Sequence, residues 1–317
     1  MDRKWVFAKM QGLGNDFIVL DLRDPRSLSS LSPRAHEIAS RAGLLGEVGS
    51  AELSGLARRW CDRHFGIGAD GLLLILPSTV AAARMRVLNA DGSEAEMCGN
   101  GLRCVARRLH EQEGLEEVRI ETGAGVLACS MVAGEEGSAV EVSMGRPRFL
   151  RAEIPVVLGS AGGEMIAEPV DVLDRTWLVT GVSMGNPHGV VFVPDGEGLE
   201  GVARRYGPAL ERAECFPRGA NCSFARFLGL RDIELWVWER GCGLTLACGT
   251  GACATAAAAF RLGLLAAEEP VTVRLPGGDL VLRVAAGAQD VILRGPAELV
   301  FSGVIRLGSE GPRANGG

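Results

Sequence analysis

The sequence predicts an α/β (α+β) protein built as two tandem pseudo-symmetric domains, each a mostly antiparallel sheet around a central helix. Three observations predict it. The chain repeats its own pattern at a shift near 150 residues, each copy places apolar strand-like segments before a Cys-Gly turn and a helix, and a Gly-centred alternating pair follows each helix.

The repeat is clearest where "VLNADGSEAEMCGNG" (87–101) lies over "VWERGCGLTLACGTG" (237–251), which sets Cys98 over Cys248 and Asn89 over Glu239. The same shift superimposes Ala106 on Ala256 and Gly145 on Gly295. Upstream, "FGIGAD" (65–70) matches "FPRGAN" (216–221) at a shift of 151, and "GNDFIV" (14–19) resembles "GNPHGV" (185–190) at 171. The extra residues of the first half therefore fall between 19 and 65. There a Ser-, Ala- and Gly-rich stretch around 26–57 reads as an insertion with some helix, expected at the surface.

In chain order, "FIVLDL", "GLLLILP" and "RMRVLNA" are the strands before the first cysteine turn. The helix "LRCVARRLHEQEG" stops at Gly114 and "ACATAAAAFRLG" at Gly263, glycine being the usual C-terminal stop. "VRIETGAGVLACSMV" and "VTVRLPGGDLVLRV" then alternate apolar and polar residues about a turn. The expected organisation is an N-terminal half over 1–145 carrying Cys98, a crossover at 146–175, a C-terminal half over 176–307 carrying Cys248, and a disordered tail at 308–317.

Gross properties narrow the function. The 317 residues suffice for about two domains. With 47% hydrophobic and 23% charged residues the composition is that of a globular protein. The longest strongly apolar run is "LLLIL" (72–76), far short of a membrane span, and the N-terminus lacks an export-type apolar region. A net charge of −6 and a pI near 5.4 argue against nucleic-acid binding, and the local cluster "RPRFLR" (146–151) reads as solvated surface. Nine cysteines, an odd number without an export signal, point to thiols in a reducing cytoplasm.

A cysteine at a helix N-terminus meets unsatisfied N–H groups and the positive end of the helix dipole, which favour thiolate and lower a pKa that starts at about 8.5. Glycines beside it open the backbone to a ligand, and the N–H groups can hold a carboxylate. Two such turns supply a thiolate and a thiol on opposite sides of one carbon. Inversion needs that pairing, one group removing a proton and the other returning one. Carboxylate oxygens held by two helix N-termini would stabilise the enolate-like charge. The residues thus point to a cofactor-free two-base racemase or epimerase acting on an α-amino acid or related acid.

"MQGLGNDF", "FGIGADG", "NADGSEAEMCGNGLRC", "VSMGNPHG", "GANCSF" and "ERGCGLTLACGTGA" resemble, in order and along nearly the whole chain, the motif set of diaminopimelate epimerase. The resemblance implies conversion of LL-diaminopimelate to the meso form without pyridoxal phosphate or metal, on the route to lysine and peptidoglycan. It implies that Cys98 and Cys248 are the acid/base pair, Cys248 taking the proton in the LL-to-meso direction and Cys98 returning one. By the same resemblance Gly99, Asn100, Gly249 and Thr250 bind the reacting-centre carboxylate. Asn15, Asn89, Asn186, Asn221 and Arg240 fix the distal end, Glu239 meets an ammonium group near the thiols, and His188 helps order the site. No cofactor, no nucleic acid and no membrane partner is expected, and a homodimer is a candidate assembly. Two positions depart from the family pattern. Gly71 stands where some members have a substrate-touching glutamine, and Leu244 where many have a glutamate or a small residue.

Duller readings compete at single positions. A lone cysteine is usually a small buried hydrophobe, and that reading is applied to Cys61, Cys104, Cys129, Cys215, Cys222, Cys242 and Cys253. Asn15 and Asn186 beside glycine fit simple turns, Glu239–Arg240 fits an exposed ion pair, and His188 after "NP" fits a loop histidine. A redox or zinc protein is disfavoured because the chain has no C-x-x-C and its histidines (36, 64, 110 and 188) form no ligand-spaced cluster with the cysteines. A non-catalytic interaction module leaves two matched thiol turns unexplained. A proline- or hydroxyproline-type racemase is the nearest enzymatic alternative.

Overall fold

The computed structural model describes residues 3–23, 50–134, 137–159, 162–286 and 290–307. Residues 26–49 of the expected insertion, with His36, and the expected tail at 308–317 lie outside them. The chain divides into two compact units, one formed by Met1–Gly12, Asp16–Cys129 and Ala297–Gly317, the other by Leu13–Asn15 and Ser130–Pro296.

In the first unit the strands are β1 (Arg3–Gly12), β2 (Asn15–Asp21), β3 (Gly71–Leu76), β4 (Ala83–Asn89), β5 (Glu94–Ala95) and β6 (Glu117–Thr122). The helices are α1 (Ser50–Cys61) and α2 (Gly99–Glu113). The strand β7 (Gly125–Gly134) carries the chain into the second unit. β2 runs parallel to β3, β3 antiparallel to β4, and β4 parallel to β6. Every residue of β3 is buried, as its unbroken apolar run requires of a strand covered on both faces. Leu72, Leu74 and Leu76 pack with Leu53, Ala57 and Trp60 of α1, while Leu73 reaches Gly101 of α2. Residues 50–57 therefore start a core helix. The insertion does end in helix, but its surface placement is corrected at this end: Leu53 and Ala57 lie on one helix face and bury it against β3.

The second unit contains β8 (Gly137–Ser143), β9 (Glu168–Val172), β10 (Arg175–Ser183), β11 (Pro187–Phe192), β12 (Asn221–Gly229), β13 (Asp232–Glu239) and β14 (Gly243–Leu244). It also contains β15 (Val271–Leu275), β16 (Gly278–Val284) and β17 (Val291–Pro296), with helices α3 (Leu199–Glu211) and α4 (Gly249–Arg261). Pairing runs β9-β10-β11-β12-β13-β15-β16-β17-β8, antiparallel except at β11–β12 and β13–β15. The parallel steps fall at the same places as β2–β3 and β4–β6 of the first unit. α4 packs against β10, β11, β12, β16 and β17. A helix enclosed by sheet needs small side chains, and Ala252, Ala254 and Ala256–Ala259 are all fully buried. Alanine also gives this helix the highest intrinsic propensity. α3 covers the outer face of β12 and β13 through Tyr206 and Leu210.

A strand β18 (Glu298–Leu307) pairs antiparallel with β1, so the last described residues belong with the first. No helix among the described residues is long and apolar enough to cross a membrane.

Candidate active site

Each Cys-Gly turn is built in the same way. A strand ends in the residue of interest (Asn89 on β4, Glu239 on β13), folds back through a two-residue strand, and runs into a cysteine that caps a helix. Cys98 is the N-cap of α2, with extended backbone (φ −140°, ψ 114°) and its Sγ accepting the Gly101 N–H at 3.4 Å. Cys248 is the N-cap of α4 (φ −125°, ψ 102°), its Sγ accepting the Gly251 N–H at 3.3 Å. The sulfur thus takes the place of the usual capping oxygen. The glycine three residues on is also a spatial requirement. A Cβ at 101 would lie 3.0 Å from Leu73 Cδ2, and one at 251 would lie 3.1 Å from Val237 Cγ2 and 3.2 Å from the Cys248 sulfur.

Around Cys98, Gly99 and Asn100 form the buried first turn of α2. The Asn100 Oδ1 accepts from Arg103 Nη2 at 3.0 Å, and Arg103 is itself fully buried. Asn89 is exposed and turns inward on its own hairpin, its N–H donating to Ser93 O at 2.8 Å and its Nδ2 to Ser93 Oγ at 2.9 Å.

Around Cys248 the structure gathers five of the expected residues, four of them in one hydrogen-bonded chain. The Glu239 carboxylate is near enough to the Cys248 thiol for its charge to raise it, and it accepts from Thr245 Oγ1 at 2.6 Å. On its other side the sulfur lies 3.6 Å from Thr250 Oγ1. Asn186 Nδ2 donates to that hydroxyl at 3.4 Å, and Asn186 Oδ1 lies 2.9 Å from His188 Nε2. With the Asn186 oxygen turned to the ring, His188 Nε2 carries the proton. Asn221 is buried and fastens the next turn, its Oδ1 accepting the Arg240 N–H at 2.9 Å and its Nδ2 donating to Pro187 O at 3.4 Å. The Arg240 guanidinium donates to the Arg218 carbonyl at 3.0 Å. Glu239 and Arg240 therefore point to different partners, and the ion-pair reading of that dipeptide is not what the geometry shows.

Electrostatics correct one expectation. The helix N-terminus was expected to lower the thiol pKa, but burial pushes Cys248 well above the ordinary value and the Glu239 charge adds to it, against bonds from Thr250 and Gly251 that lower it. Desolvation also raises Glu239, opposed by its bonds to Thr245 and Cys248. His188 is fully buried, and desolvation with the Arg240 charge lowers it to about 3, so its ring is neutral.

Asn15 opens β2 directly after a turn in which Leu13 (φ 57°) and Gly14 (φ 78°) are both left-handed, the geometry of a two-residue hairpin. The turn tip crowds Gly277, where a Cβ would lie 2.1 Å from Leu13 O. The following residue, Asp16, is tied down by Lys9 (2.5 Å) and Arg63 (2.8 Å), and Arg63 also bridges to Asp70 (2.8 Å). Asp16 and Asp70 exchange backbone and carboxylate bonds. This cluster links "GND" to "GAD". The motifs contained it, but sequence reasoning assigned these charges no role.

The remaining cysteines behave as buried hydrophobes except Cys242, which is exposed. It sits at the tip of the β13–β14 turn between left-handed Gly241 and Gly243. Gly71 has a local cause, since a Cβ there would lie 2.9 Å from Leu88 O. Leu244 pairs with Trp238 and packs against the second unit's core. Among the described residues no group of three or more His, Cys, Asp or Glu could hold a metal ion.

The sequence relatives of this chain place it among isomerases of the amino-acid racemase and epimerase class. The sequence pattern of diaminopimelate epimerase matches residues 7–150 and 180–300. A diaminopimelate epimerase from Thermosynechococcus vestitus is 42% identical over 308 residues, covering 94% of this chain and 98% of that one. Another from Carboxydothermus hydrogenoformans is 43% identical over 299 residues, with 94% and 98% covered. The chain belongs to the diaminopimelate epimerase family. Solved structures share the fold at low identity. A Bacillus anthracis phenazine biosynthesis protein of the PhzF family has a TM-score of 0.66 at 17% identity, covering 95% of this chain and 99% of that one. A hydroxyproline epimerase from Agrobacterium vitis has a TM-score of 0.65 at 15% identity, covering 96% and 93%.

Proposed function

We propose that the protein is a cofactor-independent, two-base epimerase that interconverts LL- and meso-diaminopimelate by proton transfer at the α-carbon, serving lysine and peptidoglycan precursor synthesis in the cytoplasm. The observation that carries the reading is that Cys98 and Cys248 cap their helices in the same way, each sulfur accepting the N–H of the glycine three residues on. In the LL-to-meso direction Cys248, as thiolate, takes the α-proton, and the Cys98 thiol delivers one to the opposite face. The reverse direction exchanges the roles.

Burial disfavours the Cys248 thiolate, so its formation needs a nearby cation and a proton acceptor. The substrate α-ammonium supplies the first. Glu239, its own pKa raised by desolvation, is suited to be the second. Gly99, Asn100, Gly249 and Thr250 hold the reacting-centre carboxylate at two helix N-termini, where negative charge is favoured. Asn15, Asn89, Asn186, Asn221 and Arg240 bind the distal amino-acid end. His188 supports catalysis as a neutral ring that orients Asn186 and through it Thr250. A homodimer is in keeping with the apolar face of β1 and β18, where Val6, Val300 and Val304 are all more than half exposed.

The test is LL-diaminopimelate in deuterated water with no added cofactor, with 4-hydroxyproline as the competing substrate. Early meso product should carry solvent deuterium at the inverted centre while recovered LL substrate stays largely unlabelled, because the thiolate holds the original proton on the face it left. Heavy labelling of recovered substrate, or turnover of hydroxyproline alone, would overturn the proposal.

A further inference from the structure

The dipeptide Glu239–Arg240 is held from outside by one carboxylate. Glu211, the last residue of α3, accepts the Trp238 Nε1–H at 2.7 Å on one oxygen and the Gly241 N–H at 3.1 Å on the other. These two donors bracket residues 239 and 240. The Glu211 carbonyl also accepts the Ala220 N–H at 3.3 Å, one residue before Asn221, whose side chain holds the Arg240 N–H. The close approach is built into α3, since a Cβ at Gly207, one turn earlier, would lie 2.6 Å from Trp238 Cβ.

The first unit has the same device with opposite polarity. There α1 holds the turn after Asn89 by donating, Ser54 Oγ to Gly92 O at 2.5 Å and Arg58 Nη1 to Asp91 O at 3.1 Å. In both units an outer helix with no residue in the expected site grips the turn that follows the strand-end residue.

We infer that Glu211 is a positioning residue for the epimerisation, fixing Glu239 against the Cys248 thiol and Arg240 beside Asn221 by clamping the residues on either side of them. It rests on the reading of Cys248 and Glu239 given above. A carboxylate is needed because both partners are N–H donors. A carboxamide offers one acceptor and turns an NH2 group toward the second donor, so Glu211→Gln loses half the clamp while keeping its shape.

The experiment combines kinetics with the indole 15N–1H resonance of Trp238. Glu211→Ala should move that resonance away from its hydrogen-bonded position, lower kcat about tenfold or more and raise KM, since small misplacement of catalytic groups is costly. Glu211→Gln should fall between it and the native protein. Kinetics are expressed per folded molecule from the thermal transition, and if Glu211→Ala does not fold, Glu211→Gln decides. If the native protein epimerises diaminopimelate and a folded Glu211→Gln keeps kcat and KM within about twofold, the inference is overturned. If the native protein does not epimerise, the functional reading itself has failed, and an unmoved indole resonance in Glu211→Ala would separately refute the clamp.

Discussion

The two cysteine turns share a backbone and differ in everything placed around it. Cys98 is half-buried, stands opposite an exposed Asn89, and caps a helix whose outer face carries Arg107, Arg108 and Glu111. Cys248 is buried, is raised by the Glu239 charge, and caps a helix that is almost wholly enclosed. Duplication kept the sulfur as helix cap and the glycine three residues on. Divergence changed the proton environment, setting a carboxylate in the second unit where the first has an amide. The difference teaches that two cysteines can share one cap geometry and still sit in unlike surroundings, Cys248 being buried beside a carboxylate whose charge raises its thiol.

The comparison breaks most completely if either thiol is dispensable. Cys98→Ala and Cys248→Ala should each lower epimerisation by at least the roughly 10²–10⁴-fold that a positioned acid or base contributes. Circular dichroism should stay native. Near-normal turnover in either would end the two-base assignment, while Cys242→Ala should keep most activity because that thiol is at an exposed turn tip. Glu239→Gln sharpens the comparison by giving the second turn an amide, as the first has. Its kcat should fall about 10–100-fold, yet Cys248 should alkylate faster at a fixed pH, since Glu239 is one of the groups raising the thiol. Slower alkylation would contradict that placement of charge.

The repeat made much of this fold legible. The shift that aligned Cys98 with Cys248 also aligned β4 with β13 and α2 with α4, because each unit needs the same periodicities to enclose its helix. The helix stops at Gly114 and Gly263 were readable because both residues are left-handed. What was not legible depends on contacts distant in sequence. α3 went unnoticed, and helix was read near α1 without its buried face, because their apolar faces answer to β12–β13 and to β3, not to any local signal. The direction of the Cys248 shift was misjudged because a dipole can be read from a helix start, whereas burial cannot. The Asp16–Arg63–Asp70 cluster spans 54 residues between its acids and shows itself only when β2 and β3 pair.

Gly101 and Gly251 offer a finer contrast. Both would overpack as alanine, at about 1–3 kcal/mol, partly offset by the better helix propensity of alanine. At 101 the obstacle is the end of the Leu73 side chain, which can rotate away. At 251 it is branched Val237 and the Cys248 sulfur itself. Gly251→Ala should therefore cost more turnover than Gly101→Ala at similar loss of thermal stability. Equal activity in the two variants would show that the sulfur is not held where the structure puts it.

The smallest expected effect uses the repeat against itself. At the shift of 171 residues His188 lies over Phe17, so His188→Phe gives the second unit the residue of the first. His188 is buried and neutral, its pKa lowered to about 3 by desolvation and the Arg240 charge. The ordinary value is 6.5. As pH falls below that, the unfolded chain binds a proton that the folded protein refuses until about pH 3, so stability is lost across that window. Between pH 7 and pH 4.5 this one ring should cost about 2 kcal/mol. Phenylalanine takes up no proton in either state. Urea unfolding of His188→Phe should then show a smaller difference between the two pH values than the native protein by about that amount, even if its stability at pH 7 is lower from the lost Asn186 bond. The same difference in both proteins would mean that the histidine is protonated in the folded state, and the chain from His188 through Asn186 to Thr250 would have to be redrawn with a charged ring.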